Sequence, residues 1–324
     1  MTVTTIPARS LIADDLAIVD QFMIDTLASD IALIQEMVRY ILAAGGKRIR
    51  PVISLLAANA LNYNELKRIH VAAALELIHT ATLLHDDVVD GTTLRRGHET
   101  ANHRWNNKSS ILVGDFLYSR AFQLVVDLKN TTVLDHFAKA THYIAEGEIL
   151  QLSNCFNPDT TEAFYFDIIR RKTAKLFELA AFLPSVLAYH DEDYQNALRD
   201  YGTHLGLAYQ LVDDALDYSS KIEETGKNVC QDLSEGKATL PLIYAIQKAT
   251  GQDKALLKQA LQHGEIIHLS EIVKIIESTD GTGYTLRAAK RHGELAKNAI
   301  SVLPPSPYRE GLEQVCDFTI ERTF

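Results

Sequence analysis

Two groups of aspartates with the same spacing stand out among the residues that could do chemistry. They are Asp86-Asp87-Val88-Val89-Asp90 and Asp213-Asp214-Ala215-Leu216-Asp217. Residues four apart in a helix lie one above the other, so the first and last aspartate of each group share a face. Carboxylate oxygens are ligands that Mg²⁺ prefers, together with phosphate oxygens and water. The pattern therefore predicts two sites for Mg²⁺, or for Mn²⁺ in its place, that are suited to a diphosphate.

The position of each group in its helix supports a functional role. Both groups end segments that are otherwise apolar, and they are followed by Gly91 and by a polar run after Asp217. Carboxylates at a helix C-terminus face the negative end of the helix dipole, which costs about 0.3–1 kcal/mol each, and like charges one turn apart add to that cost. A bound cation would reverse both effects. Two solvated acidic helix ends without a ligand are the alternative interpretation.

The segments that carry these aspartates are apolar almost all round. Residues 69–84 and 205–216 have no polar face, so we expect them at the centre of a helical bundle. Gly202 and Gly206, one turn apart, would let a neighbouring helix approach closely. Apolar residues recur at helical spacing along most of the chain, and alternating strand patterns are scarce. We therefore predict an all-α fold in a single domain, residues 1–324.

The same periodicity sets the predicted helix boundaries. The segments are 11–43, 51–62, 65–90, 109–128, 131–154, 160–188, 192–219, 239–249, 253–263, 269–278, 283–302 and 307–321. Pro51 suits the first turn of its helix, and Pro184 is expected to kink or end another. The longest polar stretch, residues 219–238, favours a lid over the site, with an ordinary mobile loop as the alternative.

Composition and charge argue against several other classes of protein. The formal net charge is −10, which is unfavourable for binding nucleic acid. No stretch has the roughly 18–20 uninterrupted apolar residues of a membrane span. Residues 1–10 lack the pattern of a signal peptide, and the three cysteines form no disulfide or zinc pattern. We predict a cytoplasmic protein that binds no nucleic acid.

Five motifs, in order, resemble those of the trans-polyprenyl diphosphate synthases, and most closely the bacterial octaprenyl type. They are Gly45-Gly46-Lys47-Arg48-Ile49-Arg50-Pro51, the segment from Asp86 to Gly97, Gly114-Asp115-Phe116-Leu117-Tyr118, Lys172-Thr173, and the segment from Tyr209 to Asp217 with two Gly-Lys pairs downstream. The resemblance extends over about residues 20–321. It implies a helical bundle of the isoprenoid synthase type, with both aspartate groups facing a large central cavity, and a homodimer.

The resemblance also implies a role for the polar residues of these motifs. Isopentenyl diphosphate would be held by Lys47, Arg50, His79 and Arg96. The allylic diphosphate would be held by Arg95, Lys172, Thr173, Gln210, Lys227 and Lys237. Mg²⁺ would be bound directly by Asp86, Asp90 and Asp213, and indirectly, through water or hydrogen bonds, by Asp87, Asp214 and Asp217. The residues expected to act in catalysis are Asp86, Asp90, Lys172 and Asp213.

The implied reaction is the Mg²⁺-dependent condensation of isopentenyl diphosphate with an allylic diphosphate such as farnesyl diphosphate. The product would be a polyprenyl diphosphate of octaprenyl length for quinone side chains, such as that of ubiquinone. Its length should depend on the space below the first aspartate group, where Thr82, Ala81 and Ile78 precede Asp86 by four, five and eight residues. Thr82 and Ala81 are small, which predicts a product longer than about 20 carbons. The alternative is that they are small only for helix packing.

Other functions stay open on the sequence alone. A shorter-chain synthase of the geranylgeranyl type would carry the same motifs. A non-catalytic subunit of a heteromeric synthase would usually lose the acidic groups, which this chain keeps. A terpene cyclase would not need Lys47, Arg50 and Arg96, and a phosphohydrolase would need a base that the sequence does not display.

Overall fold

The structure, a computed structural model, describes residues 6–95, 97–218, 230–264 and 267–322, and these residues confirm the predicted all-α fold. The helices are α1 (Ala13–Thr26), α2 (Ala32–Ala43), α3 (Ile49–Ala60), α4 (Lys67–Val89), α5 (Ala101–Arg104), α6 (Asn107–Asp127), α7 (Thr131–Ser153), α8 (Glu162–Ile169), α9 (Lys175–Leu187), α10 (Glu192–Asp217), α11 (Gln231–Ser234), α12 (Leu240–Lys248), α13 (Gly251–His263), α14 (Leu269–Ser278), α15 (Gly281–Ala299) and α16 (Pro307–Glu321). Two short strands, β1 (Leu94–Arg95) and β2 (His98–Glu99), pair antiparallel. Within the described ranges, no helix is both long and apolar enough to cross a membrane.

Helices α4 and α10, which carry the aspartate groups, lie in the middle of the bundle as predicted. Every residue of α4 from Val71 to Ile78 is buried. Helix α4 packs mainly against α6, α3, α1 and α9, and α10 packs mainly against α15 and α9. Contact on several sides explains why the segments 69–84 and 205–216 of these helices have no polar face. The same contacts fix the position of the aspartates at the helix ends.

The predicted close packing at Gly202 and Gly206 is confirmed. A Cβ added at Gly202 would lie 2.5 Å from the Cα of Glu178, and one added at Gly206 would lie 2.5 Å from the Cα of Ala174. Both distances are too short for any side chain, so glycine is required for α10 to approach α9 this closely. The close packing of α10 holds the second aspartate group beside residues 170–174, which precede α9.

The predicted helix 11–43 is wrong in one respect, because it is two helices. The chain leaves the helical conformation after Thr26 and re-enters it at Ala32. Within the break, Ser29 Oγ accepts a hydrogen bond of 3.2 Å from the N–H of Ile31. Such local side-chain bonds compete with the helical ones, which is why serine favours turns. The apolar pattern alone did not reveal this interruption.

Pro184 does not end a helix, since α9 continues through it to Leu187. The irregularity lies earlier, where Arg170–Ala174 form a π turn between α8 and α9. A π turn inserts an extra residue into a helix and is frequent at functional sites. The hairpin, α5 and α11 also lie outside the predicted helices, because elements of two to four residues are too short to show a periodicity.

Two histidines meet between α10 and α15. The Nδ1 atoms of His204 and His292 lie 2.9 Å apart, and both side chains are half-buried. One of these nitrogens must donate and the other accept, so at least one of the two imidazoles is neutral. Burial lowers the pKa of His204. Burial, His204, Arg291 and Arg170 together lower the pKa of His292 to about 4.

We expect this pair to make the free energy of unfolding fall as the pH decreases from about 6.5 to about 4. An unfolded histidine titrates near 6.5, so in this window the unfolded chain binds a proton that folded His292 does not, at a slope of at most about 1.4 kcal/mol per pH unit. Urea denaturation across the window should therefore show a flatter pH dependence for His292→Gln. The same change at exposed His263 is the control, and identical profiles for His292→Gln and wild type would contradict the prediction.

Candidate active site

The first aspartate group occupies the C-terminal end of α4, as predicted, and its members face two directions. Asp86 and Asp90 line an apolar cavity. Asp87 is only 4% exposed, and the Nη2 and Nε atoms of Arg95 lie 2.7 and 2.9 Å from its Oδ1. The helical spacing thus predicted the shared face of Asp86 and Asp90 correctly, and Asp87 is neutralised by an arginine on the other face.

Lys172, in the π turn, lies between Asp86 and helix α7. Its Nζ is 3.9 Å from Asp86 Oδ2, 2.6 Å from Glu148 Oε2 and 2.9 Å from Gln151 Oε1. Burial opposes the charge on Lys172, but Asp86 and Glu148 outweigh it and raise the pKa of the ammonium group. Lys172 therefore stays charged although little of it contacts water.

Lys237 holds the other aspartate of this face. Its Nζ is 2.9 Å from Asp90 Oδ2 and 2.5 Å from Glu235 Oε2. Burial again opposes the charge, and Asp90 and Glu235 outweigh it and raise the pKa of Lys237. Lys172 and Lys237 line both the apolar cavity and a polar cleft beside it. Two charged lysines therefore lie between the first aspartate group and this cleft.

The polar cleft, of about 90 Å³, reaches the second aspartate group through Asp214. Thr173 Oγ1 donates to Gln210 Oε1 at 2.7 Å, and Gln210 Nε2 donates to Asp214 Oδ1 at 2.7 Å. The Tyr165 hydroxyl donates to Asp214 Oδ2 at 2.5 Å. Burial nevertheless raises the pKa of Asp214 to about 7. No cation of the described ranges forms an ion pair with Asp214, and a bound cation would supply a compensating positive charge.

The other two members of the second group have different partners. The carboxylate of Asp217 accepts hydrogen bonds of 3.2 Å from the backbone N–H groups of Gln231 and Asp232, in the first turn of α11. Burial raises the pKa of Asp217 to about 6. Asp213 Oδ1 lies 2.8 Å from Nη2 of Arg322. Each aspartate of the group thus contacts a different part of the chain.

Four of the six residues that the resemblance assigns to the allylic diphosphate line the same cleft. Those that line the polar cleft are Lys172, Thr173, Gln210 and Lys237. Arg95 does not, because it pairs with Asp87 and lines a separate cleft that also contains His79. Lys227 and Arg96 lie outside the described residues.

The basic residues Lys47, Arg48 and Arg50 lie at the start of α3, where Arg48 has a left-handed backbone conformation. Arg48 has a φ of 49°, and its guanidinium pairs with Glu76 at 3.0 Å in the core. Lys47 and Arg50, which flank Arg48 in the sequence, contact the rings of Phe318 and Phe177. Arg48 is therefore structural, in agreement with its absence from the predicted site.

Lys47 and Arg50 both lie against aromatic rings. Lys47 Nζ is 5.3 Å from the ring centroid of Phe318, and the guanidinium of Arg50 is 4.7 Å from that of Phe177. Cations over aromatic faces are held in place without losing their charge. Lys47 and Arg50 thus remain suited to an anion, although neither lines the cleft that contains His79.

The apolar cavity has a volume of about 340 Å³ and lies among α4, α6 and α7. Of the three predicted chain-length residues, Thr82 lines its wall. Ala81 and Ile78 are instead fully buried in the core and are not part of that wall. Tyr118 and Ile144 also line the cavity, so α6 and α7 share in setting its size.

Sequence reasoning missed several residues of the site. They are Glu148, Gln151, Tyr165, Glu235 and Arg322. Glu148 and Gln151 are three apart on α7, a spacing that puts two polar side chains on one helix face and could have been noticed. Tyr165 and Arg322 reach the site only through tertiary packing, for which the sequence carries no local signal.

The donor groups fit Mg²⁺ that is bound together with a diphosphate. Among residues 6–95, 97–218, 230–264 and 267–322, no three histidine, cysteine or acidic side chains are placed to hold a metal ion by themselves. The aspartates offer oxygen ligands only, and Mg²⁺ usually takes one or two carboxylates and completes its shell with phosphate and water. The resemblance assigns Asp86, Asp90 and Asp213 to such ions, and water and diphosphate oxygens would complete the shell of each ion.

Comparisons with known proteins point to one family. The polyprenyl synthetase family matches residues 31–277, which include both aspartate groups. The octaprenyl diphosphate synthase of Escherichia coli (strain K12) is 43% identical over 315 residues, 97% of this chain and 98% of the relative. The all-trans-nonaprenyl-diphosphate synthase (geranyl-diphosphate specific) of Rhodobacter capsulatus is 43% identical over 312 residues, 96% of each chain. The crystal structure of a polyprenyl synthase from Caulobacter crescentus CB15, complexed with calcium and isoprenyl diphosphate, has a TM-score of 0.92 at 41% identity and 97% coverage of each chain.

Proposed function

The chain belongs to the polyprenyl synthetase family, and we propose that it is a long-chain trans-synthase that makes octaprenyl diphosphate for quinone side chains. As a prenyltransferase of this kind, it would join isopentenyl diphosphate to an allylic diphosphate such as farnesyl diphosphate with the help of Mg²⁺. We propose octaprenyl length because the sequence most resembles the bacterial octaprenyl type. Relatives named for octaprenyl and for nonaprenyl products are equally identical to this chain, at 43%.

The observation that carries the proposal is the pair of lysines shared by the first aspartate group and the polar cleft. Lys172 and Lys237 neutralise Asp86 and Asp90 when no ligand is bound. A complex of Mg²⁺ with a diphosphate would exchange these partners, because its anion suits the lysines and its cation suits the aspartates. Every buried charge would keep an opposite charge beside it, which a buried site requires.

Each part of the site has a task in the reaction. Bound Mg²⁺ supplies Lewis-acid chemistry that takes up negative charge on the departing diphosphate. Lys172 and Lys237 would bind oxygens of the departing diphosphate. The charges of these lysines act strongly because the site is partly closed to water. Thr173 and Gln210, already joined by a hydrogen bond, orient the diphosphate in the cleft.

The apolar cavity would receive the hydrocarbon chain. Cleavage of the allylic carbon–oxygen bond leaves an allylic cation, which the double bond of isopentenyl diphosphate attacks to form the new carbon–carbon bond. A proton then leaves the adduct, and the released diphosphate is the base that we favour. The cavity wall, which includes buried Ile144, would keep water away from the cation, which water would otherwise capture.

The test is elongation by the purified protein. Farnesyl diphosphate, radiolabelled isopentenyl diphosphate and Mg²⁺ should give a product that, after dephosphorylation, migrates with an eight-unit prenyl alcohol. A product that stops at four units would support the geranylgeranyl alternative, and one of nine units would replace octaprenyl by nonaprenyl. If the protein elongates farnesyl diphosphate with neither Mg²⁺ nor Mn²⁺, the proposed catalytic function is contradicted.

We also propose that the protein is a homodimer joined through α6. This helix exposes three large apolar side chains, Ile111, Leu112 and Val126, by 41%, 67% and 55%. Large apolar side chains that are exposed along one helix are suited to an interface. Leu112→Glu should halve the mass measured by light scattering, whereas Ile24→Glu, at a similarly exposed site on α1, should not. A wild type that is already monomeric would rule the dimer out.

A further inference from the structure

Arg322, the residue that follows α16, is buried against the second aspartate group. Its side chain is 4% exposed, and its Nη2 lies 2.8 Å from Asp213 Oδ1. The guanidinium also lies over the ring of Tyr209, 3.7 Å from the centroid, and Nη2 donates to the carbonyl oxygen of Tyr209. Arginine is rarely buried unless it is paired. These contacts therefore hold the end of the described chain at the site.

The same guanidinium has a donor that is not used. Among the residues that the structure describes, none accepts a hydrogen bond from the buried Nε of Arg322. A buried donor without a partner is costly and rare, and it calls for a physical explanation. Arginine presents its donors as a planar fork that matches two oxygens of a phosphate. The unused Nε of Arg322 therefore points to an anionic ligand besides Asp213.

Two further cations lie next to Arg322. Lys47 lies over the ring of Phe318, which is one helical turn before Arg322 along the chain. Arg50 lies over the ring of Phe177, whose centroid is 5.1 Å from that of Tyr209, the ring that Arg322 covers. Lys47, Arg50 and Arg322 thus form one basic group beside α10, and the first two are the residues proposed to hold isopentenyl diphosphate.

We propose that Arg322 is an internal counter-ion that a divalent cation must displace from Asp213, after which its guanidinium binds the diphosphate of isopentenyl diphosphate. This inference rests on the proposed function, in which Asp213 is a metal ligand. A guanidinium and a divalent cation repel each other strongly at one half-buried carboxylate, so they compete for Asp213. The displaced guanidinium then offers both Nη2 and the unused Nε to the substrate. Arg322 is thus a positioning residue that couples metal binding to the end of α16.

Binding of Mn²⁺ in the absence of substrate tests the competition, since electron paramagnetic resonance measures free Mn²⁺ directly. We expect Arg322→Gln to bind Mn²⁺ about tenfold more tightly than the wild type, because the competing charge is gone. Arg322→Lys keeps the charge and should stay close to the wild type. Arg309→Gln, at the other end of α16, should have no effect because Arg309 pairs with Glu313. A merely structural role predicts weaker or unchanged Mn²⁺ binding by Arg322→Gln, and that result would overturn the proposal.

Steady-state kinetics give a second readout. The KM for isopentenyl diphosphate should rise about tenfold in Arg322→Gln, while the KM for farnesyl diphosphate stays the same. Equal increases in both constants would contradict the assignment to one diphosphate.

If Arg322→Gln does not fold, the proposal can still be tested by a measurement on the wild type. Amide hydrogen exchange of residues 316–322 should become faster when Mn²⁺ alone is added, because Arg322 leaves Asp213. Unchanged exchange would overturn the proposal. A wild type that does not elongate farnesyl diphosphate contradicts the proposed function itself, whereas an active wild type with unchanged exchange contradicts only the role of Arg322.

Discussion

Asp86→Asn is expected to reduce turnover by roughly 10³-fold, because one metal-binding carboxylate supplies several kcal/mol of transition-state stabilisation. The melting temperature should stay the same or rise. Asp86 lies at the unfavourable end of α4, burial raises its pKa, and Asp90 lies one turn away with a like charge. Loss of activity without loss of stability is the signature that separates a functional carboxylate from a structural one.

The assay is the initial rate of isopentenyl diphosphate incorporation with saturating Mg²⁺, alongside calorimetric melting. Asp135→Asn is the matched control, since Asp135 is 53% exposed and pairs with Lys139. It should keep wild-type activity. If Asp86→Asn retained more than about a tenth of the wild-type rate, Asp86 would not be a metal ligand in the reaction.

Thr82→Phe is expected to shorten the product and to abolish the long prenyl diphosphates. Thr82 lines the apolar cavity one turn before Asp86, and its Oγ1 donates to the carbonyl oxygen of His79 at 2.9 Å. A phenyl ring there would take up space that the growing chain needs close to the reacting carbon. Chromatography of the dephosphorylated products measures the change directly.

Thr80→Phe is the control for this substitution. Thr80 is two residues away on the same helix and lines the cleft on the other side of α4, so it does not contact the cavity. Its variant should make a product of wild-type length. A Thr82→Phe enzyme that still made the full-length product would show that the chain does not run along this wall.

The parts of the site that could be predicted from the sequence are those fixed by local spacing. Asp86 and Asp90 share a face because a helix repeats every 3.6 residues, and the glycines of α10 allow close packing because they lack a Cβ. Helical spacing also brought Thr82 to the cavity. Helical spacing did not reveal that Ala81, the neighbour of Thr82, lies in the core. Consecutive residues of a helix point about 100° apart, so one can face the cavity while the next is packed in the interior.

Contacts between distant segments could not be predicted in this way. Arg95 was expected with the allylic diphosphate, but the hairpin places it on Asp87. Arg322 reaches Asp213 across more than a hundred residues of sequence, and no periodicity links them. The break between α1 and α2 was missed for a different reason, since one serine side chain outweighs a continuous apolar pattern there. Tertiary packing decides the positions of Arg95 and Arg322, whereas the break depends on a local hydrogen bond.

The π turn at Arg170–Ala174 has a consequence for attempts to engineer this protein. Deleting one residue from it would restore a regular α-helix, which most design rules would score as an improvement. The deletion would also rotate α8 by about 100° relative to α9, and Tyr165 would leave Asp214. A regular α-helix at these five residues would therefore disrupt the polar cleft. Stabilising mutations should be made elsewhere in the bundle.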